Sequence, residues 1–188
     1  MTVPPTLCDS DQSVVVVVDI QPRLAEVMPE QERERMFDTT ILLLQAADTL
    51  EIPVLATEQY PSGLGSTCEE IAASLPDRAI TFPKTGFACT RAEGFCDALA
   101  ASGRSQVLLT GQEAHVCVLQ TAFALQAQGK QVFVVEDAVC SRKPEHKIYA
   151  LERMRQAGIV VLSGESVLFE WLRDAAHPNF RQLARLIR

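Results

Sequence analysis

The chain has 188 residues and a mass of 20.6 kDa, a length typical of one domain with a substantial buried core. Apolar residues make up 47% and charged residues 22%, which excludes a collagen, a coiled coil and a wholly disordered chain. The formal net charge of −7 opposes binding to nucleic acid or to an anionic membrane. We therefore expect a single domain over residues 1–188 that binds neither.

Targeting and membrane signals are weak. The longest apolar run, Val14–Val18, is far shorter than the roughly 20 residues of a membrane span. Residues 1–10 lack a basic segment followed by an apolar one, so they do not resemble a secretory signal. We expect a cytoplasmic protein.

The cysteines predict free thiols. There are six of them in the chain, with no C-x-x-C motif and no Cys/His pair at zinc spacing. A chain of this length does not need disulfide bonds for stability. Neither a metal site nor a cofactor is therefore expected from these residues.

The first predicted element is a buried strand. Val14–Val18 is a β-branched run that ends at Asp19, and its continuous apolar character indicates burial on both faces, as in a central parallel strand. Helical spacing follows from about 32 to 50, and strand character returns at 52–57. These three elements form one βαβ unit.

The same alternation continues to the end of the chain. Further strands are predicted near 79–82 and at 106–110, 131–135 and 159–162, with helices near 91–101, 116–128 and 144–157 and a C-terminal helical tail. Alternating strands and helices predict an α/β fold with a parallel sheet of about six strands and helices on both faces. In such sheets ligands bind beyond the carboxyl ends of the strands.

The residues at the carboxyl ends of the strands argue against nucleotide binding and serine hydrolysis. The turn after the first strand, Asp19–Arg23, has no glycine, although close approach to a pyrophosphate requires one. The sequence also lacks a P-loop and a G-x-S-x-G elbow. A flavodoxin-like nucleotide binder is therefore disfavoured.

Cys117 is the candidate nucleophile. It follows the fourth predicted strand, at or near the first turn of a helix, where free N–H groups and the helix dipole favour a thiolate. A small residue that packs the strand–helix junction is the alternative.

Asp19 and Lys84 follow the first and third predicted strands, so a carboxylate and an ammonium could meet the Cys117 thiol at the same edge. The alternatives are that Asp19 caps the following turn and that Lys84 is a solvated loop charge.

Several separated motifs together suggest a family. They are Asp19-Ile-Gln, Ala56-Thr-Glu-Gln-Tyr-Pro-Ser-Gly-Leu-Gly65, Phe82-Pro-Lys84-Thr, Gly111-Gln-Glu-Ala-His-Val-Cys117-Val, Asp137-Ala-Val-Cys-Ser-Arg142 and Asp174-Ala-Ala-His-Pro-Asn-Phe180. In this order the chain resembles the isochorismatase-like cysteine hydrolases, and most closely their isochorismatase domain-containing branch.

The resemblance implies a three-layer α/β/α fold with a six-stranded parallel sheet in the order 3-2-1-4-5-6. It implies a catalytic triad of Cys117, Asp19 and Lys84, a cis peptide at Gln112–Glu113, and an oxyanion hole formed by the N–H groups of Glu113 and Cys117. The implied reaction cleaves a small amide or related acyl compound through a thioester, without a cofactor. Homo-oligomers are implied as well.

Departures from the family pattern narrow the interpretation. Nicotinamidase relatives carry a D-x-H metal motif after the second strand, whereas this chain has Thr57-Glu-Gln-Tyr60 there, so no metal is expected. True isochorismatases act on a vinyl ether and generally do without a cysteine nucleophile, so Cys117 favours the thioester route.

Four further residues are weaker pocket candidates because they follow strand ends or precede Cys117: Gln21, Tyr60, Phe87 and His115. Core or rim packing is the alternative for the aromatic residues, and a structural role is the alternative for His115.

The apolar residues of the tail, Val167–Ile187, predict either homo-oligomer contacts or ordinary packing of a last helix. At the level of function, the alternative to an enzyme is a non-catalytic relative that binds a ligand or serves as an assembly subunit.

Overall fold

The computed structural model describes residues 7–187. Residues 1–6, which form most of the segment tested for a secretory signal, and residue 188 lie outside this range. Between residues 7 and 187, no helix combines the length and the apolar character that a membrane crossing requires.

The described residues form one six-stranded parallel sheet in the order β3-β2-β1-β4-β5-β6, which confirms the predicted fold and strand order. Its strands are β1 Ser13–Val18, β2 Val54–Gln59, β3 Ile80–Lys84, β4 Gln106–Gln112, β5 Gln131–Cys140 and β6 Val160–Leu162.

Helices cover both faces of this sheet. The α-helices are α1 Pro22–Ala25, α2 Glu30–Thr49, α3 Pro61–Leu64, α4 Glu69–Ala72, α5 Phe95–Ala101, α6 Leu119–Ala127, α7 Pro144–Gln156, α8 Gly164–Leu172 and α9 Phe180–Leu183. A 3₁₀ turn, Cys89–Arg91, precedes α5, and a π-helical turn, Ala114–Val118, precedes α6.

Two of the predicted helices begin later than expected. The helix predicted near 91–101 begins only at Phe95, because Gly94 has a φ of +78° that an α-helix does not allow. The helix predicted from about 116 begins as an α-helix at Leu119, since the π-helical turn takes up the preceding residues.

Strand β1 is central and buried on both faces. All six of its residues are buried, and it pairs with β2 on one side and β4 on the other. Val15 and Val17 join the apolar cluster on one face, whereas Val14, Val16 and Val18 join the cluster on the other. This alternation is the reason that an unbroken valine run suits the position.

The C-terminal tail packs on the chain's own core. Leu168, Trp171 and Leu183 are buried in the same cluster as α2 residues, and the Trp171 indole N–H donates to the Ser13 hydroxyl at 3.0 Å. Ordinary packing therefore accounts for most apolar residues of the tail, although Phe169 is 40% exposed.

Strands β1 and β4 approach closely at the end that leads to the candidate site. Gly111 lies opposite Val18 and has a φ of +106°. A Cβ atom at this position would overlap the backbone carbonyl of Val18. Only glycine fits here, because both the conformation and the contact exclude a side chain.

We predict that Gly111→Ala lowers the free energy of unfolding by more than about 2 kcal/mol, since a fixed backbone carbonyl blocks the new methyl group. Chemical denaturation measures the loss. Gly129→Ala is the matched control, because Gly129 has a φ of +81° but open space around its Cα, and we expect it to cost about 1 kcal/mol. Equal losses in the two variants would show that the strand contact is not limiting.

Candidate active site

Asp19 lies directly after β1 as a fully buried carboxylate with a φ of +51°. Its Oδ2 accepts a hydrogen bond from Lys84 Nζ at 2.7 Å, and its Oδ1 accepts one from the Thr57 hydroxyl at 2.8 Å. Gln112 Nε2 donates to the backbone carbonyl of Asp19 at 3.1 Å. The Asp19 side chain therefore binds Lys84 and Thr57 and does not cap the following turn.

Lys84 ends β3, and its side chain is fully buried. Besides Asp19, Nζ donates to Gln59 Oε1 at 2.6 Å and to the carbonyl of Phe87 at 3.0 Å. Nζ also lies 3.8 Å from Cys117 Sγ. The structure thus brings Asp19, Lys84 and Cys117 together, and Lys84 is not a solvated loop charge.

Gln21 holds the backbone of Gln59, whose side chain binds Lys84. Its side-chain amide binds both backbone groups of Gln59, donating to the carbonyl at 3.0 Å and accepting from the N–H at 2.7 Å, and it also donates to the carbonyl of Gly65. The Gln59 side chain in turn bridges Lys84 Nζ and the Thr85 carbonyl. Gln21 is fully buried and is not among the residues that line the cavity at Cys117, and its hydrogen bonds hold Gln59, the partner of Lys84.

Cys117 lies in the π-helical turn after β4 and is 5% exposed. The Gln112–Glu113 peptide bond, at which the family resemblance implies a cis peptide, is cis in the structure. Among the described residues 7–187, the N–H of Glu113, which lies between β4 and the π-helical turn, makes no hydrogen bond to another backbone group. This amide is therefore free to bind an oxygen atom.

The surroundings of Cys117 act against the thiolate that its place at a helix end predicts. Burial raises the pKa of the Cys117 thiol well above its ordinary value, and the Asp19 carboxylate raises it further. The Lys84 ammonium acts in the opposite direction but is outweighed. Desolvation and a neighbouring anion thus exceed the effect of the helix end on which the sequence argument relied.

A cavity of about 650 Å³ opens above Cys117, a volume typical of small-molecule sites. Tyr60 and Phe87 line this cavity and are 56% and 52% exposed. The complete lining consists of Leu24, Gln59, Tyr60, Leu64, Thr85, Phe87, Glu113, Val116, Cys117 and Arg142.

His115 is not among the lining residues. Its Nδ1 lies 2.9 Å from the Ser141 hydroxyl, and its ring packs against His146 with centroids 4.7 Å apart. Burial lowers the pKa of His115 below its ordinary value. These contacts favour the structural alternative for His115.

Sequence reasoning missed the ion pair at the cavity wall. Arg142 follows β5, and its Nη2 donates to Glu113 Oε1 at 2.6 Å while Nε lies 3.1 Å from both carboxylate oxygens. The Arg142 backbone N–H donates to Glu113 Oε2 at 2.9 Å. The only available signal was that both residues follow strand ends, which does not show that they pair.

Glu113 remains ionised because of this partner. Burial by itself would raise the pKa of the Glu113 carboxyl, but the hydrogen bonds and charge of Arg142 outweigh it, so the pKa lies below its ordinary value. In the part of the chain that the structure describes, no group of three or more His, Cys, Asp or Glu side chains is arranged to hold a metal ion. The six cysteines are free thiols.

Comparison with known proteins agrees with this geometry. The isochorismatase domain model matches residues 13–166. Isochorismatase domain-containing protein 1 from Salmo salar is 40% identical over 146 residues, which cover 78% of this chain and 51% of the relative. The chain thus spans about half the length of that relative.

Two solved structures share the fold over nearly the whole chain. The MAR1 ribonuclease from Caenorhabditis elegans superposes with a TM-score of 0.91 at 34% identity, covering 97% of this chain and 92% of that one. The YcaC gene product from Escherichia coli, described as an octameric hydrolase of unknown specificity, has a TM-score of 0.86 at 27% identity and covers 98% of this chain and 97% of that one.

The strand order, the residues at the strand ends and these matches agree, and the chain belongs to the isochorismatase domain family, within the branch of the isochorismatase domain-containing proteins.

Proposed function

We propose that the chain is a cysteine hydrolase that cleaves a small amide or related acyl compound through a thioester on Cys117. The observation that carries the proposal is that one buried ammonium, Lys84 Nζ, contacts both Asp19 Oδ2 and the Sγ of Cys117, which lines the cavity. Family membership supports the hydrolase class, and the choice of bond is our own inference.

The first step forms the thioester's carbon–sulfur bond. Asp19 accepts the proton of the Cys117 thiol while Sγ attacks the carbonyl carbon of the substrate. The carbonyl oxygen becomes an oxyanion, which accepts hydrogen bonds from the N–H groups of Glu113 and Cys117. Each such donor contributes about 2.7 to 4 kcal/mol in a well-studied protease.

The second step breaks the carbon–nitrogen bond. The oxyanion collapses to a carbonyl, and Asp19 returns its proton to the leaving nitrogen, which departs as ammonia or an amine. Water then attacks the thioester with Asp19 as proton acceptor. The carboxylic acid is released, and the Cys117 sulfur recovers a proton from Asp19.

Lys84 keeps the charge balanced during these transfers. When the proton moves from Cys117 to Asp19, the negative charge moves from the carboxylate to the sulfur. Asp19 Oδ2 and Cys117 Sγ both contact the Lys84 ammonium. The negative charge therefore stays next to the same positive charge throughout the transfer. A thiol with a raised pKa therefore becomes reactive only as its proton is removed.

A small acyl substrate suits the cavity better than RNA, although the Caenorhabditis elegans relative is named a ribonuclease. RNA binding requires several cations that face the phosphates. The net charge is −7, and the one cation of the described cavity lining, Arg142, is paired with Glu113. We also propose homo-oligomers, because the Escherichia coli relative is octameric.

We predict that activated esters and amides leave an acyl group on Cys117, detected by intact-mass analysis and peptide mapping, and that Cys117→Ala abolishes both adduct and turnover. Cys96→Ala is the matched control, because Cys96 is a partly buried thiol that does not line the cavity. The Cys96→Ala variant should still form the acyl adduct on Cys117 and turn over the substrate.

The same experiment separates the alternatives. Ligand binding without any adduct or turnover would favour a non-catalytic relative. Cleavage of RNA that depends on Cys117 would replace the acyl substrate with a nucleic acid.

Asp19→Asn should move two rates in opposite directions. Turnover should fall by about 10² to 10⁴ because the proton acceptor is lost. Alkylation of Cys117 by iodoacetamide near pH 8 should become faster, because removing the carboxylate lowers a pKa that Asp19 raises. In the unsubstituted protein the alkylation rate should still be increasing at pH 9.

Mass spectrometry of the Cys117 peptide measures the alkylation rate, and thermal unfolding checks that the variant is folded. A plateau below pH 8 in the unsubstituted protein, or slower alkylation in the variant, would show that the resting thiol is already ionised.

A further inference from the structure

The lining of the cavity above Cys117 is mainly apolar. Leu24, Leu64 and Val116 contribute aliphatic side chains, and the rings of Tyr60 and Phe87 flank the mouth. Both rings are about half exposed, so a ligand that covers them removes apolar surface from water.

The charged groups of this lining compensate each other. Within the described cavity lining, Arg142 is the one cation and Glu113 the one carboxylate. Glu113 uses both oxygens on Arg142 Nε and Nη2, and its side chain is only 5% exposed. Lys84 does not line the cavity and is paired with Asp19.

An anionic substrate would therefore meet a guanidinium whose Nε and Nη2 already bind Glu113, although the Arg142 side chain is 56% exposed. Displacing Glu113 is unfavourable, because its side chain is only 5% exposed and would keep its desolvation cost without a partner. Sharing Arg142 places the substrate's charge near the Glu113 carboxylate, a repulsion that solvent around Arg142 weakens but does not remove.

We infer that the cavity accepts uncharged, mainly apolar acyl groups and rejects anionic ones, and that Glu113 sets this selectivity by occupying the guanidinium of Arg142. The inference rests on the proposed function for its reaction and names the class of substrate. The acyl group contacts Leu24, Leu64, Phe87 and Val116, and its carbonyl lies at Cys117.

Two esters that differ in one charge test the selectivity. The 4-nitrophenyl ester of hexanoic acid and the 4-nitrophenyl monoester of adipic acid share a leaving group and an alkyl chain, but only the second carries a carboxylate. We expect kcat/KM to be at least about 100-fold higher for the neutral ester. Equal values, or a preference for the anionic ester, would overturn the inference.

Glu113→Gln tests the residue that sets the selectivity. The substitution frees the charge of Arg142, so the neutral-to-anionic ratio should fall by about tenfold or more. A ratio is the appropriate measurement, because any general loss of oxyanion stabilisation lowers both rates alike. An unchanged ratio would show that Glu113 has no part in selectivity.

Glu32→Gln is the control. Glu32 also accepts a hydrogen bond from a cation, Lys147 at 2.8 Å, but it does not line the cavity. Its substitution should leave the ratio unchanged, and a similar fall in this variant would indicate a non-specific effect of removing a carboxylate.

Failure of the reaction itself is distinguishable from failure of the selectivity. Binding of hexanamide and of the monoamide of adipic acid to Cys117→Ala, measured by calorimetry, requires no chemistry. Tighter binding of hexanamide would support the selectivity even if no ester acylates Cys117, whereas tighter binding of the anionic amide, or equal binding, would reject it.

Discussion

The buried ion pair between Asp19 and Lys84 is the constraint on which the site depends. Removing two charges from water costs several kcal/mol per ion unless hydrogen bonds replace the lost hydration. Thr57 supplies one such bond to the carboxylate, and Gln59 and nearby backbone carbonyls supply others to the ammonium. The ends of three neighbouring strands must therefore hold their positions closely, and Gln21 fixes the middle one through the backbone of Gln59.

Charge compensation explains both the reactivity and the proposed selectivity of the cavity. The Asp19–Lys84 pair is neutral overall, so it does not offset the burial that raises the pKa of the Cys117 thiol. The Glu113–Arg142 pair is also neutral overall, so the wall offers no free cation to a substrate. Chemistry on the sulfur then requires proton transfer to Asp19, and recognition relies on apolar contact.

Strand positions and strand-end residues were predictable because they depend on local patterns. The Val14–Val18 run has the composition of a central strand, and Asp19, Lys84 and Cys117 follow three strands whose carboxyl ends share an edge. The roles of the remaining candidates depend on distant partners. Gln21 binds the backbone of Gln59, and His115 contacts Ser141 and His146, and no spacing in the chain indicates those contacts.

The sequence by itself determined the α/β alternation and the side chains available at the strand ends, because burial and periodicity act on neighbouring residues. Only the tertiary structure decided the direction in which the pKa of Cys117 shifts, the pairing of Glu113 with Arg142 and the hydrogen bond from Trp171 to Ser13. Each of these depends on desolvation and on charges or partners that are brought close by folding although they lie far apart along the chain.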